Sequence, residues 1–146
     1  MPEKLNLPES EVSRRILRFC QVLRRYCRCR CLSSLELCFV CLYEILFLLA
    51  NNGRKGPQNM TNIYSLLKLD GESSGWVHDL ARLRHSIAHC TLENDEDVLM
   101  FLNSLEWDKV RCSLVYAFPV EIVELLTAVY STATAAPLAL SAMNLE

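Results

Sequence analysis

The run LELCFVCLYEILFLLA, residues 35–50, is the strongest constraint in this sequence. A membrane span needs about 20 apolar residues. This run has 16 and carries Glu36 and Glu44, so it predicts a helix buried in a globular core. The rest of the chain must then supply apolar faces to cover it. A length of 146 residues suits one domain. A chain of that size buries roughly two thirds of its unfolded surface and needs no disulfide or metal to fold. With 51% hydrophobic and 22% charged residues, the disordered class is excluded.

The remaining pattern is helical, with no convincing alternating strand. A first helix is predicted over residues 8–31, with Pro8 at its start and Glu9 and Glu11 in the first turn. Ser33 or Ser34 offers a cap for a second helix over 34–50. The loop NNGRKGPQN follows. A short helix is expected in MTNIYSLLKL, then one over 75–90 capped by Ser73 or Ser74. The acidic turn TLENDED leads into a helix from 95 to 105. Residues 106–118 continue helically, and Pro119 kinks that helix or begins a last one, residues 119–131. The expected fold is an all-α, antiparallel helical bundle of about five to seven helices. It forms one domain over residues 1–133, with a flexible tail at 134–146. The final Leu145-Glu146 has the look of a vector remnant and is set aside.

Charge is unevenly placed. Residues 1–30 carry eight basic against three acidic side chains, and the remainder carries seven against fourteen. Such asymmetry points to a local anionic partner, nucleic acid among them; its plainer reading is a solvated helix face. Arg14, Arg18 and Arg25 fall within about 40° on an ideal helix, with Arg15 nearby. They form a candidate RNA-backbone contact. The polar start MPEKLNLPESE has no apolar leader, so a cytoplasmic protein without a membrane partner is expected. Its eight cysteines are then expected reduced. Cys20, Cys27, Cys31 and Cys38 lie within about 20° of one helical line and predict a buried stripe. A zinc site is the weaker alternative, because CRCRC and CFVC lack finger spacing.

The segment LRHSIAHC, residues 83–90, concentrates the chemistry. On one helix His78, His85 and His89 share a face within about 20° of a line. Leu80, Leu83 and Ile87 form the opposite, core-facing side. Three readings stand: an ordinary polar face, half of a metal site, or phosphoryl chemistry on RNA. His85 and His89 have the i, i+4 spacing of an HExxH helix, but Ser86 stands where its glutamate would be. For RNA, a histidine can take the 2′-hydroxyl proton or supply one to the leaving 5′-oxygen. An arginine can hold the phosphate and offset its developing charge. That chemistry needs no metal or other cofactor.

The six residues RHSIAH, Arg84 to His89, resemble the R-polar-x-x-x-H signature of the HEPN family (higher eukaryotes and prokaryotes nucleotide-binding domain). The wider LARLRHSIAH also looks like that family. The resemblance implies a small all-α bundle that dimerises. It further implies catalytic Arg84 and His89, with His85 as the supporting polar residue, and a metal-independent endoribonuclease. Such a protein would act as a toxin or as a phage-defence or CRISPR-associated effector, with an antitoxin or defence-system partner. Expected products are a 2′,3′-cyclic phosphate or 3′-phosphate and a 5′-hydroxyl. The alternative is a catalytically silent HEPN-like module that binds a protein or nucleotide. Five helical positions turn Arg84 about 140° from His89, so a site shared across a twofold axis is expected. In the toxins neutralised by nucleotidyltransferases, a tyrosine follows the histidine by two positions. Thr91 stands there, which argues against that mode of control.

Overall fold

The computed structural model describes residues 6–72, 74–90 and 96–135. Among them are seven helices: α1 (Glu9–Cys29), α2 (Leu32–Asn51), α3 (Thr61–Leu66), α4 (Gly75–Ala88), α5 (Glu96–Ser104), α6 (Trp107–Leu114) and α7 (Val120–Ala135). No strand occurs among the described residues. The chain is an all-α bundle, as its periodicity predicts.

Helix α1 buries Phe19, Cys20, Val22, Leu23 and Tyr26, an i, i+3, i+4, i+7 stripe facing the core. It ends where Arg30 adopts left-handed dihedrals, φ 50° and ψ 35°, and its amide bonds the Tyr26 carbonyl. This single-residue reversal breaks the cysteine line. Cys20 and Cys38 are buried as expected, but Cys27 is only half-buried and Cys31 is exposed. The predicted stripe assumed one continuous helix. Cys31, rather than Ser33 or Ser34, occupies the N-cap of α2.

Helix α2 runs 20 residues, longer than both its 16-residue apolar run and the helix predicted over 34–50. Its mean hydropathy reaches 2.0 over an 18-residue window. By length and composition it is therefore able to cross a membrane, and the length argument against a span does not hold. Its placement rests on packing instead. Nine of its residues are buried, and it lies against α1, α3 and α4.

The helices close into a ring. α1 packs on α2, α2 on α4, α4 on α5, α5 on α7, and α7 back on α1. Leu23, Leu46, Leu80 and Leu114 are fully buried inside it. Phe39 meets Phe101 edge-on at 5.3 Å between ring centres, tying α2 to α5. α3 rests on α2, and α6 on α7.

Two ends differ from the periodicity. Of residues 106–118, expected to continue helically, only Trp107–Leu114 form a separate short helix, α6, and Pro119 begins α7 by accepting the Ile122 and Val123 amides. α7 then continues to Ala135, past the expected start of the tail at 134. Ala133 is buried, and the Thr134 hydroxyl donates to the Tyr130 carbonyl. The last eleven residues, and the Asp95 and Ser73 caps, lie outside the described residues. Ser74 does hold the N-cap position of α4, but its hydroxyl donates to the Gly71 carbonyl at 3.3 Å.

Candidate functional site

Helix α4 is oriented by Val77, Leu80 and Leu83, all buried, with Ile87 packed at the core's edge. That leaves His78, His85 and His89 exposed, as the angular spacing predicts. The helix ends at Ala88, one turn-forming pair short of the expected Cys90. His89 is its C-cap, its amide still bonding the His85 carbonyl, and Cys90 takes φ 56°. The His85 and His89 rings lie 4.3 Å apart between centres, tilted by 41°. Two imidazoles thus stand together at the solvent-facing end of α4.

Arg84 leaves the other flank of the helix and meets α2. Its guanidinium forms an ion pair with Glu44, with a third of the arginine side chain exposed. It lies 5.9 Å from the centre of the Tyr43 ring. Its Nε is buried without a hydrogen-bond partner. Burial pushes the Tyr43 hydroxyl up, the Arg84 cation opposing that shift and Glu44 adding to it. Arg84 is therefore engaged by α2, while His85 and His89 engage each other. Within one chain, Arg84 and His89 thus leave different flanks of α4 and meet different partners.

One member of the α1 basic row, Arg18, reaches the same side of α2. Arg14, Arg18 and Arg25 are all exposed. Burial raises the Cys41 thiol, with Arg18 opposing and Glu44 adding to the shift. Arg18 and Glu44 thus both stand within electrostatic reach of Cys41. Arg18, Cys41, Glu44 and Arg84 follow one another across α1, α2 and α4. The three arginines are not equivalent. Arg14 and Arg15 share the Glu11 carboxylate, which holds Glu11 below its usual range, chiefly through the Arg15 hydrogen bond. Arg18 donates to Gln21 at 3.1 Å. Arg25 has no ion pair among the described residues.

On the opposite flank of the histidine row, α4 and α5 frame an open groove of about 450 Å³, bordered by Asp79, Arg82, Ser86 and Asp97. Arg82 and Asp79 sit 3.9 Å apart there. No group of three or more His, Cys, Asp or Glu residues able to hold a metal occurs among the described residues, so His85 and His89 have no third ligand there. Thr91, which bears on control by tyrosine modification, lies outside the described residues.

Glu44, Tyr43 and Cys41 join the candidate site without having been singled out in the sequence. The signal was a carboxylate, Glu44, in the middle of an apolar run. Such a residue marks the strip of a core helix that meets solvent or a cation, but nothing local names the cation. Comparison of the chain with family models, with curated proteins and with solved structures finds no match. Any family reading therefore rests on the Arg84–His89 motif and its setting.

Proposed function

We propose that this protein is a homodimeric, metal-independent endoribonuclease of HEPN type, serving as a toxin or as a phage-defence or CRISPR-associated effector. The observation that carries the reading is the Arg84-His85-x-x-x-His89 motif at the accessible end of α4, with Arg18 of the basic row on the Arg84 side. In this reaction His89 takes the proton from the RNA 2′-hydroxyl or supplies one to the leaving 5′-oxygen. The 2′-oxygen bonds to phosphorus as the 5′-oxygen departs. Arg84 holds the phosphate oxygens and offsets the charge that develops on them. His85, whose ring lies against that of His89, orients it. Because Arg84 turns toward α2, the arginine completing one site comes from the second copy, or Arg84 first leaves Glu44.

One observation favours the alternative of a catalytically silent protein- or nucleotide-binding module. Arg84 is already neutralised by Glu44, as a structural arginine would be. RNA cleavage by the purified protein in EDTA separates the two. Cleavage is expected with the wild type and lost with Arg84→Ala and with His89→Ala, the general acid–base contribution alone being about 10²–10⁴-fold. Arg84→Lys is also expected to be poor, because lysine lacks the two-pronged contact. Wild-type rates in either alanine variant remove the catalytic assignment. Loss of activity in the chelator would favour a metal enzyme instead.

A further inference from the structure

The turn between α1 and α2 gathers three cysteines, Cys27, Cys29 and Cys31, that the proposed function does not use. Cys29 closes α1 and Cys31 caps α2, with only Arg30 between them. Both are exposed, and both are free thiols. The distance between two Cα atoms separated by one residue is set by that residue's dihedrals. The φ 50° and ψ 35° of Arg30 are of helical magnitude, and hold the Cα atoms of Cys29 and Cys31 about 5.5 Å apart. A disulfide spans roughly 4.4–6.8 Å between Cα atoms, whereas an extended residue at position 30 would place them near or beyond its upper end.

The two thiols differ in environment. Cys31 Sγ lies 3.1 Å from the Ser34 hydroxyl and 3.5 Å from the Ser33 hydroxyl. Both hydroxyls can donate to a thiolate. The sulfur also sits at the positive end of a 20-residue helix, with Arg28 and Arg30 preceding it in the chain. We propose that Cys29 and Cys31 form a redox-active dithiol, in which Cys31 is the nucleophile toward a hydroperoxide and Cys29 resolves the oxidised product. The Ser34 hydroxyl, then the Ser33 hydroxyl, hold the Cys31 thiol down at about 7. Burial instead pushes Cys38 up to about 12.

The chemistry balances with the hydroperoxide as sole oxidant. The Cys31 thiolate attacks one peroxide oxygen; the S–O bond forms as the O–O bond breaks. The departing oxygen takes a proton and leaves as water or an alcohol. Cys31 is now a sulfenic acid. The Cys29 thiolate attacks its sulfur, the S–S bond forms, and the hydroxyl leaves as water after protonation. Two thiols lose two electrons and the peroxide gains them. Exposure makes the product accessible to thiol reductants, and so reversible.

The test needs no RNA and uses the full chain. Cys90 and Cys112 are also exposed and serve as internal references in competitive labelling with limiting iodoacetamide, read by peptide mapping. At pH 7 a thiol titrating near 7 has about fifteenfold more thiolate than an ordinary one near 8.5. Its weaker intrinsic nucleophilicity takes back about fivefold, so Cys31 is expected to label about threefold faster than either reference. An ordinary thiol is itself ionised by pH 9.5 and is then the stronger nucleophile, so the Cys31 preference is expected to disappear there. Ser34→Ala is expected to shrink the pH 7 preference. Hydrogen peroxide is expected to yield a Cys29–Cys31 disulfide, and in Cys29→Ser a sulfenic acid trapped by dimedone at Cys31. Equal labelling of Cys31, Cys90 and Cys112 at pH 7 overturns the assignment of the nucleophile. Peroxide oxidation that joins other cysteines, or none, overturns the pair.

Discussion

Glu44 and Arg84 are a carboxylate and a guanidinium on neighbouring helices, half and one-third exposed respectively. An exposed ion pair of this kind is worth about 0.2–1 kcal/mol, so a phosphate carrying more charge can displace the carboxylate. Glu44→Gln is accordingly expected to tighten RNA binding by up to about fivefold, measured by fluorescence anisotropy. The same substitution in an Arg84→Gln background is expected to do nothing. Weaker binding in the single variant would mean that Glu44 positions Arg84 rather than competing for it. A second residue has a structural task. Asn51 is fully buried; its amide donates to the Phe47 and Asn59 carbonyls, and its oxygen accepts from the Asn59 amide and from Asn62. These bonds pin the NNGRKGPQN loop to the end of α2. Asn51→Leu strands several of those groups, each costing about 1–3 kcal/mol if left unpaired. A loss of about 2–4 kcal/mol is expected in urea unfolding; an unchanged midpoint would refute this account of the loop.

Helix α1 presents its arginines unequally, and that inequality is measurable. Arg14 shares Glu11 with Arg15, whereas Arg25 has no ion pair among the described residues. If the row neutralises phosphates, replacing Arg14, Arg18 and Arg25 together by glutamine removes up to three contacts. The dependence of log affinity on log salt is then expected to flatten by about 2 for single-stranded RNA, with the chemical step on bound RNA nearly unchanged. Arg25→Gln alone is expected to weaken binding more than Arg14→Gln, whose charge Glu11 already offsets. Unaltered affinity and salt slope in the triple variant would leave the row as a solvated face. Helix α4 carries a similar division along one element: its buried residues set its roll, and the histidines follow as the exposed complement.

The ring α1–α2–α4–α5–α7 makes the molecule's stability a shared property of distant segments. Leu46 is fully buried at its centre, and Leu46→Ala is expected to cost about 2–5 kcal/mol, read as a shift of the denaturation midpoint with little change in slope. Assembly belongs to this scale as well. Arg84 and His89 diverge within one chain, so cleavage is expected to require two chains. Sedimentation should show a homodimer at micromolar concentration. A mixture of Arg84→Ala and His89→Ala chains should regain part of the activity that each lacks alone. A monomer that cleaves RNA, or a mixture as dead as its components, contradicts a shared site.

What the sequence determined by itself was everything carried by the 3.6-residue period. The helical class, the burial of Leu80 and Leu83, and the exposure of His78, His85 and His89 all follow from it. So does the exposure of Arg14, Arg18 and Arg25. Periodicity reports which side of a helix avoids water, and that is a local property. Tertiary structure alone decided which partner each side meets. Arg84 finds Glu44 forty positions away, and Arg18 comes to the same strip through α1–α2 packing. Neither pairing leaves a local trace, because charge attraction across helices depends on their mutual roll and not on spacing along the chain. Helix ends were decided in the same way. Arg30 reverses its backbone and brings Cys31 to the surface beside Cys29. The tail-like residues up to Ala135 stay helical because Ala133 has a place in the core. In each case a weak local preference yields to packing that the neighbouring residues do not encode.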